Sequence, residues 1–191
     1  RDKLVTGVQT CALPILQVEL IVELEPSQTS GAPLRGRKRY SKVYPIDQAV
    51  SGAYGIVPDE GPGLETLIFR QLRDLRERLR ERDRVSADLT YWRDDRKNSA
   101  GEVDFRLHAG DVALLVEAKA SRQVRNEDTA RLATVARRLG LPRALVVYRG
   151  PQREVFLPKG GNQVEIRCWP VADFLLAADR CTASCEELFL Q

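Results

Sequence analysis

The stretch that most constrains the fold is residues 102–119, where Glu102-Val103-Asp104-Phe105 is followed, thirteen residues after the Asp, by Glu117-Ala118-Lys119. Val103, Phe105 and Leu107 alternate with Glu102, Asp104 and Arg106, which predicts a half-buried strand over 102–107. Residues 112–120 form a nearly unbroken apolar run, the pattern of a strand buried on both faces. Gly110-Asp111 between them favours a turn, so a hairpin is expected. Within the second strand Glu117 and Lys119 are two apart and share a face. The hairpin brings Asp104 beside them, so that two acids and a lysine project together from the middle of a sheet.

Such a grouping is costly. Two carboxylates about 4 Å apart repel by roughly 4 kcal/mol at an effective dielectric near 20. Either Lys119 or a bound cation has to offset this. Magnesium and manganese prefer carboxylate and carbonyl oxygens. A metal held by two carboxylates, with an ammonium beside its bound water, is an arrangement that hydrolyses phosphodiesters. The plainer reading has Asp104 and Arg106 on a solvated strand face and Glu117 paired with Lys119. Both readings stay open at this point.

Residues 1–15, from Arg1 to Ile15, read as the translation of a short-read sequencing adapter, with only Lys3 and Leu4 free to vary at its index. They are expected to contribute nothing to the fold. The chain has no Met, and the expectation is a fragment whose N-terminal part is missing. About 175 residues then remain, enough for one domain with a core and a small appendage. Setting aside Arg1, Asp2 and Lys3 lowers the formal charge from +3 to +2, too mild a value to imply nucleic-acid binding by itself. Outside the adapter the cysteines are Cys168, Cys181 and Cys185, an odd number with no visible signal peptide, which points to a reducing, cytoplasmic compartment. His108 is the only histidine, which excludes imidazole-rich metal sites and Ser-His-Asp chemistry. No apolar run approaches the ~20 residues of a membrane span.

Residues 16–24 read as a strand and 26–36 as an exposed loop. Arg37, Lys38, Arg39 and Lys42 form a basic cluster. A solvated loop is the plain reading of it, and a nucleic-acid contact the functional one. A short helix is expected over 46–53, with Asp47 near its start. Gly61-Pro62-Gly63 then interrupts the chain, and a long helix is predicted from Leu64, with Leu64, Leu67, Ile68, Leu72, Leu75 and Leu79 in one apolar stripe. Glu65 lies in its first turn, where the helix dipole favours a carboxylate and from which it could face the acids on the sheet. Strands are predicted at 89–93, 144–148, 154–157 and 164–168, and helices at 128–139 and 170–178. The whole is an α/β (α+β) domain, a mixed central sheet flanked by helices.

Helix, strand, Asp-bearing strand, Glu-x-Lys strand, helix, strand is an order that resembles the restriction-endonuclease-like PD-(D/E)XK nucleases. More closely, the text resembles the C-terminal domain of unknown function of prokaryotic AAA-type ATPases. The matching pieces are Lys42-Val43-Tyr44 with Asp47, Gly63-Leu64-Glu65, Tyr91-Trp92-Arg93, Glu102-Val103-Asp104-Phe105 and Val116-Glu117-Ala118-Lys119. Val103 stands where the superfamily name has Pro, as it does in the closer family. The resemblance spans about residues 17–178. It implies a winged-helix remnant and linker over 16–59, the nuclease-like domain over 60–178 and a tail over 179–191. It also implies a P-loop ATPase upstream, to which ATP binding would belong, since this chain has no phosphate-binding loop. On this resemblance Asp104 and Glu117 would bind Mg2+ or Mn2+ with help from the Ala118 carbonyl. Lys119 would orient or deprotonate the attacking water, and Glu65 a second water or metal. DNA is the implied substrate. The alternatives are a catalytically inactive DNA-binding module, through Arg37, Lys38, Arg39, Lys42 and the arginine-rich helix between Arg70 and Arg84, or a regulatory and docking module of the ATPase.

Overall fold

The structure is a computed structural model and describes residues 21–27, 41–53, 59–83, 86–93, 101–158 and 163–181. The expectations for the adapter segment, Arg37, Lys38, Arg39, Cys185 and most of the tail fall outside these residues. Strands β1 (Ile21–Leu24) and β2 (Lys42–Pro45) form a small antiparallel sheet. They are followed by α1 (Gln48–Ala53) and α2 (Glu60–Asp83). Next come β3 (Ala87–Arg93), β4 (Glu102–Ala109), β5 (Val112–Lys119), α3 (Asn126–Arg138), β6 (Arg143–Tyr148), β7 (Glu154–Phe156), β8 (Glu165–Pro170) and α4 (Val171–Arg180). The six later strands make one mixed sheet in the order β3-β4-β5-β6-β8-β7. β3, β4 and β5 run antiparallel to one another, β5, β6 and β8 are parallel, and β7 is antiparallel to β8. No described helix is long and apolar enough to cross a membrane.

Two cores lie on the two faces of this sheet. On one, the α2 stripe Leu64, Ile68, Leu72, Leu75 and Leu79 and the α4 residues Phe174, Ala177 and Ala178 cover Phe105, Leu107, Leu114, Val116, Leu145 and Val147. On the other, Leu132, Ala133, Val135 and Ala136 of α3 cover Leu115, Ala144, Val146, Ile166 and Cys168. The central strands are therefore apolar on both faces, as parallel strands between helical layers must be. Leu24 of β1 and Tyr44 of β2 join the α2 core. The chain after β1 also borders β3, because Tyr91 N–H donates to Glu25 O at 3.1 Å and Ser27 N–H to Tyr91 O at 2.7 Å.

Several boundaries differ from the sequence expectation. The long helix begins at Glu60 and runs through Gly61-Pro62-Gly63, with Gly63 N–H already donating to Asp59 O. Proline is tolerated there because the first-turn N–H groups have no intrahelical acceptor to lose. Pro170 closes β8 and precedes α4 instead of lying within it. Asp47 sits just before α1, its Oδ1 accepting from Ala49 N–H at 2.9 Å, an N-terminal cap. The α2 arginines are not all solvated, since Arg78 donates to the Ala178 and Asp179 carbonyls, both at 2.7 Å, and so satisfies the end of α4. Cys168 and Cys181 are free and buried.

At the end of β6 the chain turns under its own tyrosine. Tyr148 is fully buried, and its hydroxyl donates to Gln152 O at 2.6 Å and lies 3.0 Å from Glu154 Oε1. A Cβ on Gly150 would stand 1.9 Å from Tyr148 Cε2, and the pinned, buried ring cannot swing aside. Gly150→Ala should cost about 1–3 kcal/mol by overpacking, lowering the melting temperature by roughly 2–12 °C. An unchanged melt would mean that the ring has room that this packing denies it.

Candidate functional site

The site is built around an irregularity in β4. Between Thr90↔Arg106 and Trp92↔Val103, β3 advances two residues while β4 advances three, so β4 carries one extra residue, a β-bulge. The bulge carries Val103 to the α3 core while Phe105 and Leu107 stay in the α2 core. This corrects the expectation that all three share one face, for the alternation breaks where the extra residue is inserted. The ladder to β5 stops at the same place, its last pair being Phe105↔Val116. Beyond it Ala118 N–H has no strand partner on the β4 side. The Asp104 carboxylate takes that role, with Oδ2 accepting from Ala118 N–H at 2.9 Å.

The other Asp104 oxygen, Oδ1, accepts from Lys42 Nζ at 3.0 Å. The same ammonium lies 2.7 Å from Glu102 Oε1 and 5.5 Å from the centre of the Tyr91 ring. Lys42 comes from β2, where Tyr44, two residues on, points the same way. The Tyr44 ring stacks on Phe69 with centroids 4.6 Å apart, and its hydroxyl donates to Glu65 Oε2 at 3.2 Å. Lys42, which the sequence grouped with a basic surface cluster, is thus turned into the protein and spends its charge on Asp104 and Glu102.

Glu117 and Lys119 lie on the α3 side of β5. Glu117 is 4% exposed. Its Oε1 is 2.9 Å from Lys119 Nζ and also accepts from Arg131 of α3. Lys119 reaches on to Asp128, 3.3 Å away. Glu117 Oε2 is buried with no hydrogen-bond partner. Glu65 belongs to α2, the helix on the opposite face, where it is bonded to Tyr44 and feels the charges of Asp104, Lys42 and Glu102. Asp104 therefore stands between two halves, Glu65, Tyr44 and Lys42 on one side and Glu117, Lys119 and Arg131 on the other.

The electrostatics follow this division. Burial first, and the Asp104 charge second, hold Glu117 above the usual carboxylate range, against the pull of Lys119 and Arg131. Glu65 is raised by the same two causes in the same order, against Lys42 and the Tyr44 hydrogen bond. Burial opposes the charge of Lys42, but Asp104 and Glu102 outweigh it and raise the ammonium above its ordinary value. Lys119 is raised likewise, by Glu117 and Asp128 against burial. Arg131 was not read from the sequence as a site residue. Its signal was its place three residues after Asp128 on the polar flank of the α3 stripe.

A divalent cation requires several free oxygens at 2.0–2.6 Å. Glu117 Oε2 is one free oxygen. Both Asp104 oxygens are engaged, one by the Lys42 ammonium and one by Ala118 N–H, and Glu117 Oε1 is held by Lys119 and Arg131. The Ala118 carbonyl, expected to assist, leaves the strand on the same edge as the N–H that Asp104 accepts, and adds one oxygen on that side. Among the described residues no group of three or more His, Cys, Asp and Glu side chains is arranged to hold a metal. The residues as placed do not fit a bound Mg2+ or Mn2+.

The sequence profile of a domain of unknown function, DUF4143, matches residues 60–169, from the start of α2 to the penultimate residue of β8. No curated protein matches the chain.

Glu65 supplies a pH test of this electrostatic balance. A group whose folded pKa is raised favours the folded state when protonated. That contribution is full below the unfolded value and is lost as pH rises through the folded one. Glu65→Gln imitates the protonated form and can still accept from Tyr44. It should raise the melting temperature at pH 7–8, by no more than about 2 °C because Glu65 is partly solvated. The gain should shrink on acidification and vanish below about pH 4.5. Melts from pH 4 to 8 check this, and a gain that does not change with pH would show that the Glu65 charge is not its source.

Proposed function

The chain belongs to the DUF4143 family, and from that premise we propose that it is a nuclease-like domain serving as a non-catalytic regulatory and docking module of an AAA-type ATPase. The observation that carries this reading is that the chain's own groups engage three of the four oxygens of the two pivotal acids, both of Asp104 by Lys42 and Ala118 N–H and Oε1 of Glu117 by Lys119 and Arg131. The nuclease likeness rests on the succession α2, β3, β4, β5, α3, β6 with Asp104 on β4 and Glu117-x-Lys119 on β5. The ATPase connection rests on the resemblance of the sequence pieces around Lys42, Glu65, Tyr91, Asp104 and Glu117. In this reading the acids and lysine of the pattern are structural. They cross-link β2, β4, β5 and α3, and the surface they hold in place serves a partner domain.

One observation favours a second reading, metal-dependent phosphodiester hydrolysis on DNA. Glu117 Oε2 is a buried carboxylate oxygen with no partner, the kind of atom that a cation satisfies. In that case Asp104 and Glu117 would hold Mg2+ or Mn2+ and Lys119 would stand beside the attacking water.

Supercoiled plasmid incubated with the chain and millimolar magnesium or manganese separates the two. The expected outcome is no nicking above a Glu117→Ala control. Nicking by the wild type that this control lacks would establish the hydrolase and end the module reading. Thermal melts provide an independent check. A native-state ligand at a hundredfold excess over Kd stabilises by about 2.7 kcal/mol, several degrees in a domain of this size. Wild-type melts should coincide in EDTA, magnesium and manganese. Asp104→Ala should cost about 2–4 kcal/mol under all three conditions, because it orphans the Ala118 N–H and deprives Lys42 of a carboxylate.

A further inference from the structure

We propose that Lys42 is a tethered counter-ion that occupies the cation position of the acidic site, so that removing its ammonium opens a divalent-cation site at Asp104 and Glu102. The proposal rests on the reading of the site as closed by the chain's own cations, and assigns its Asp104–Glu102 side to Lys42.

The ammonium stands 2.7 Å from Glu102 Oε1 and 3.0 Å from Asp104 Oδ1, bridging two carboxylates of one strand. Only about a fifth of the Lys42 side chain is exposed. Bridging two carboxylates on adjacent turns of a pleat is what a hard cation does with oxygen donors. A divalent ion brought to Asp104 Oδ1 would face a fixed positive charge a hydrogen bond away, in a partly buried setting where water screens little. The lysine is not free to withdraw. Lys42 and Tyr44 lie on the same side of β2, and Tyr44 is buried at 5% exposure, stacked on Phe69, 5.7 Å from Phe105 and bonded to Glu65. The next residue toward Tyr44, Val43, is half exposed on the other side. The strand is thus nailed down by its tyrosine, and the tether gives the ammonium a local concentration that a dissolved ion has to compete with. β2 precedes the matched residues 60–169. The charge that closes the site is therefore supplied by a strand outside the matched region, whose position the preceding part of a chain could control.

The test uses the 191-residue chain and manganese as the probe, with bound and free Mn2+ separated by electron paramagnetic resonance. Lys42→Met, which keeps an unbranched side chain without the charge, and Lys42→Ala, which clears the space, should each bind one Mn2+ per chain at least about tenfold more tightly than the wild type. Adding Asp104→Asn to either should return binding to the wild-type level. A wild type that binds as tightly as the variants overturns the proposal, as does a variant with a native circular dichroism spectrum that gains no binding. Should both variants fail to fold, the wild type still decides through its amide NMR spectrum. Excess Mn2+ should broaden Asp104 and Ala118 no more than Ala177 on α4, and selective broadening at Asp104 and Ala118 overturns the proposal. A folded variant without manganese binding leaves the module reading standing, whereas plasmid nicking by the wild type ends that reading whatever the variants bind.

Discussion

A single backbone N–H determines how this site is put together. At Ala118 the antiparallel ladder between β4 and β5 has already ended, while the parallel ladder on the other side of β5 continues to Lys119↔Tyr148. An N–H in the middle of a sheet without a partner would cost about 1–3 kcal/mol. Asp104 meets that need with a carboxylate oxygen, and this fixes a negative charge in the plane between the two helical layers. The charges nearby are arranged around it and around Glu117. Lys42 approaches from β2, Lys119 and Arg131 gather on Glu117, and burial first, with the Asp104 charge second, raises both Glu65 and Glu117.

The bulge in β4 is the geometric counterpart of that bond. By inserting one residue it lets neighbouring strand positions serve different cores, Phe105 with α2 and Val103 with α3. A regular strand would have kept the alternation and carried the Asp104 side chain away from the gap. Packing and electrostatics are thus coupled at one point, since the apolar demands of two layers are met by an irregularity whose by-product is a partly buried carboxylate.

Much of this was legible in the sequence because it rests on periodicity. The α2 stripe, the hairpin at Gly110-Asp111, the buried runs of β5 and β6 and the shared face of Glu117 and Lys119 all follow from period 3.6 or period 2. The bulge was not legible, because no Gly or Pro marks it and Val103-Asp104-Phe105 reads as an undisturbed alternation. Lys42 was visible as the last member of a basic run and in the Lys42-Val43-Tyr44 piece, and neither gives its direction. Its inward direction depends on Tyr44 being a core residue, which is a long-range fact. The start of α2 was misplaced because Gly-Pro-Gly reads as a break, although a helix's first turn has no hydrogen bonds for proline to remove. Arg131 was missed because an arginine on an amphipathic helix looks solvated until the acid under it is known.

The order of strands across the sheet carries a consequence for how the chain assembles. β7 precedes β8 along the chain but lies outside it, at the edge, while β8 occupies the place next to β6. β7 makes its ladder only with β8 and has no seat on the sheet until β8 is laid down. A chain emerging from the ribosome can complete β3, β4 and β5 from neighbouring residues. It must then hold the edge of β6 uncovered until residues 165–170 arrive. That edge is the row Arg143-Ala144-Leu145-Val146-Val147-Tyr148, buried from Ala144 to Tyr148 in the finished protein. The interval before β8 closes over it is when this sequence is most exposed to pairing with the wrong chain.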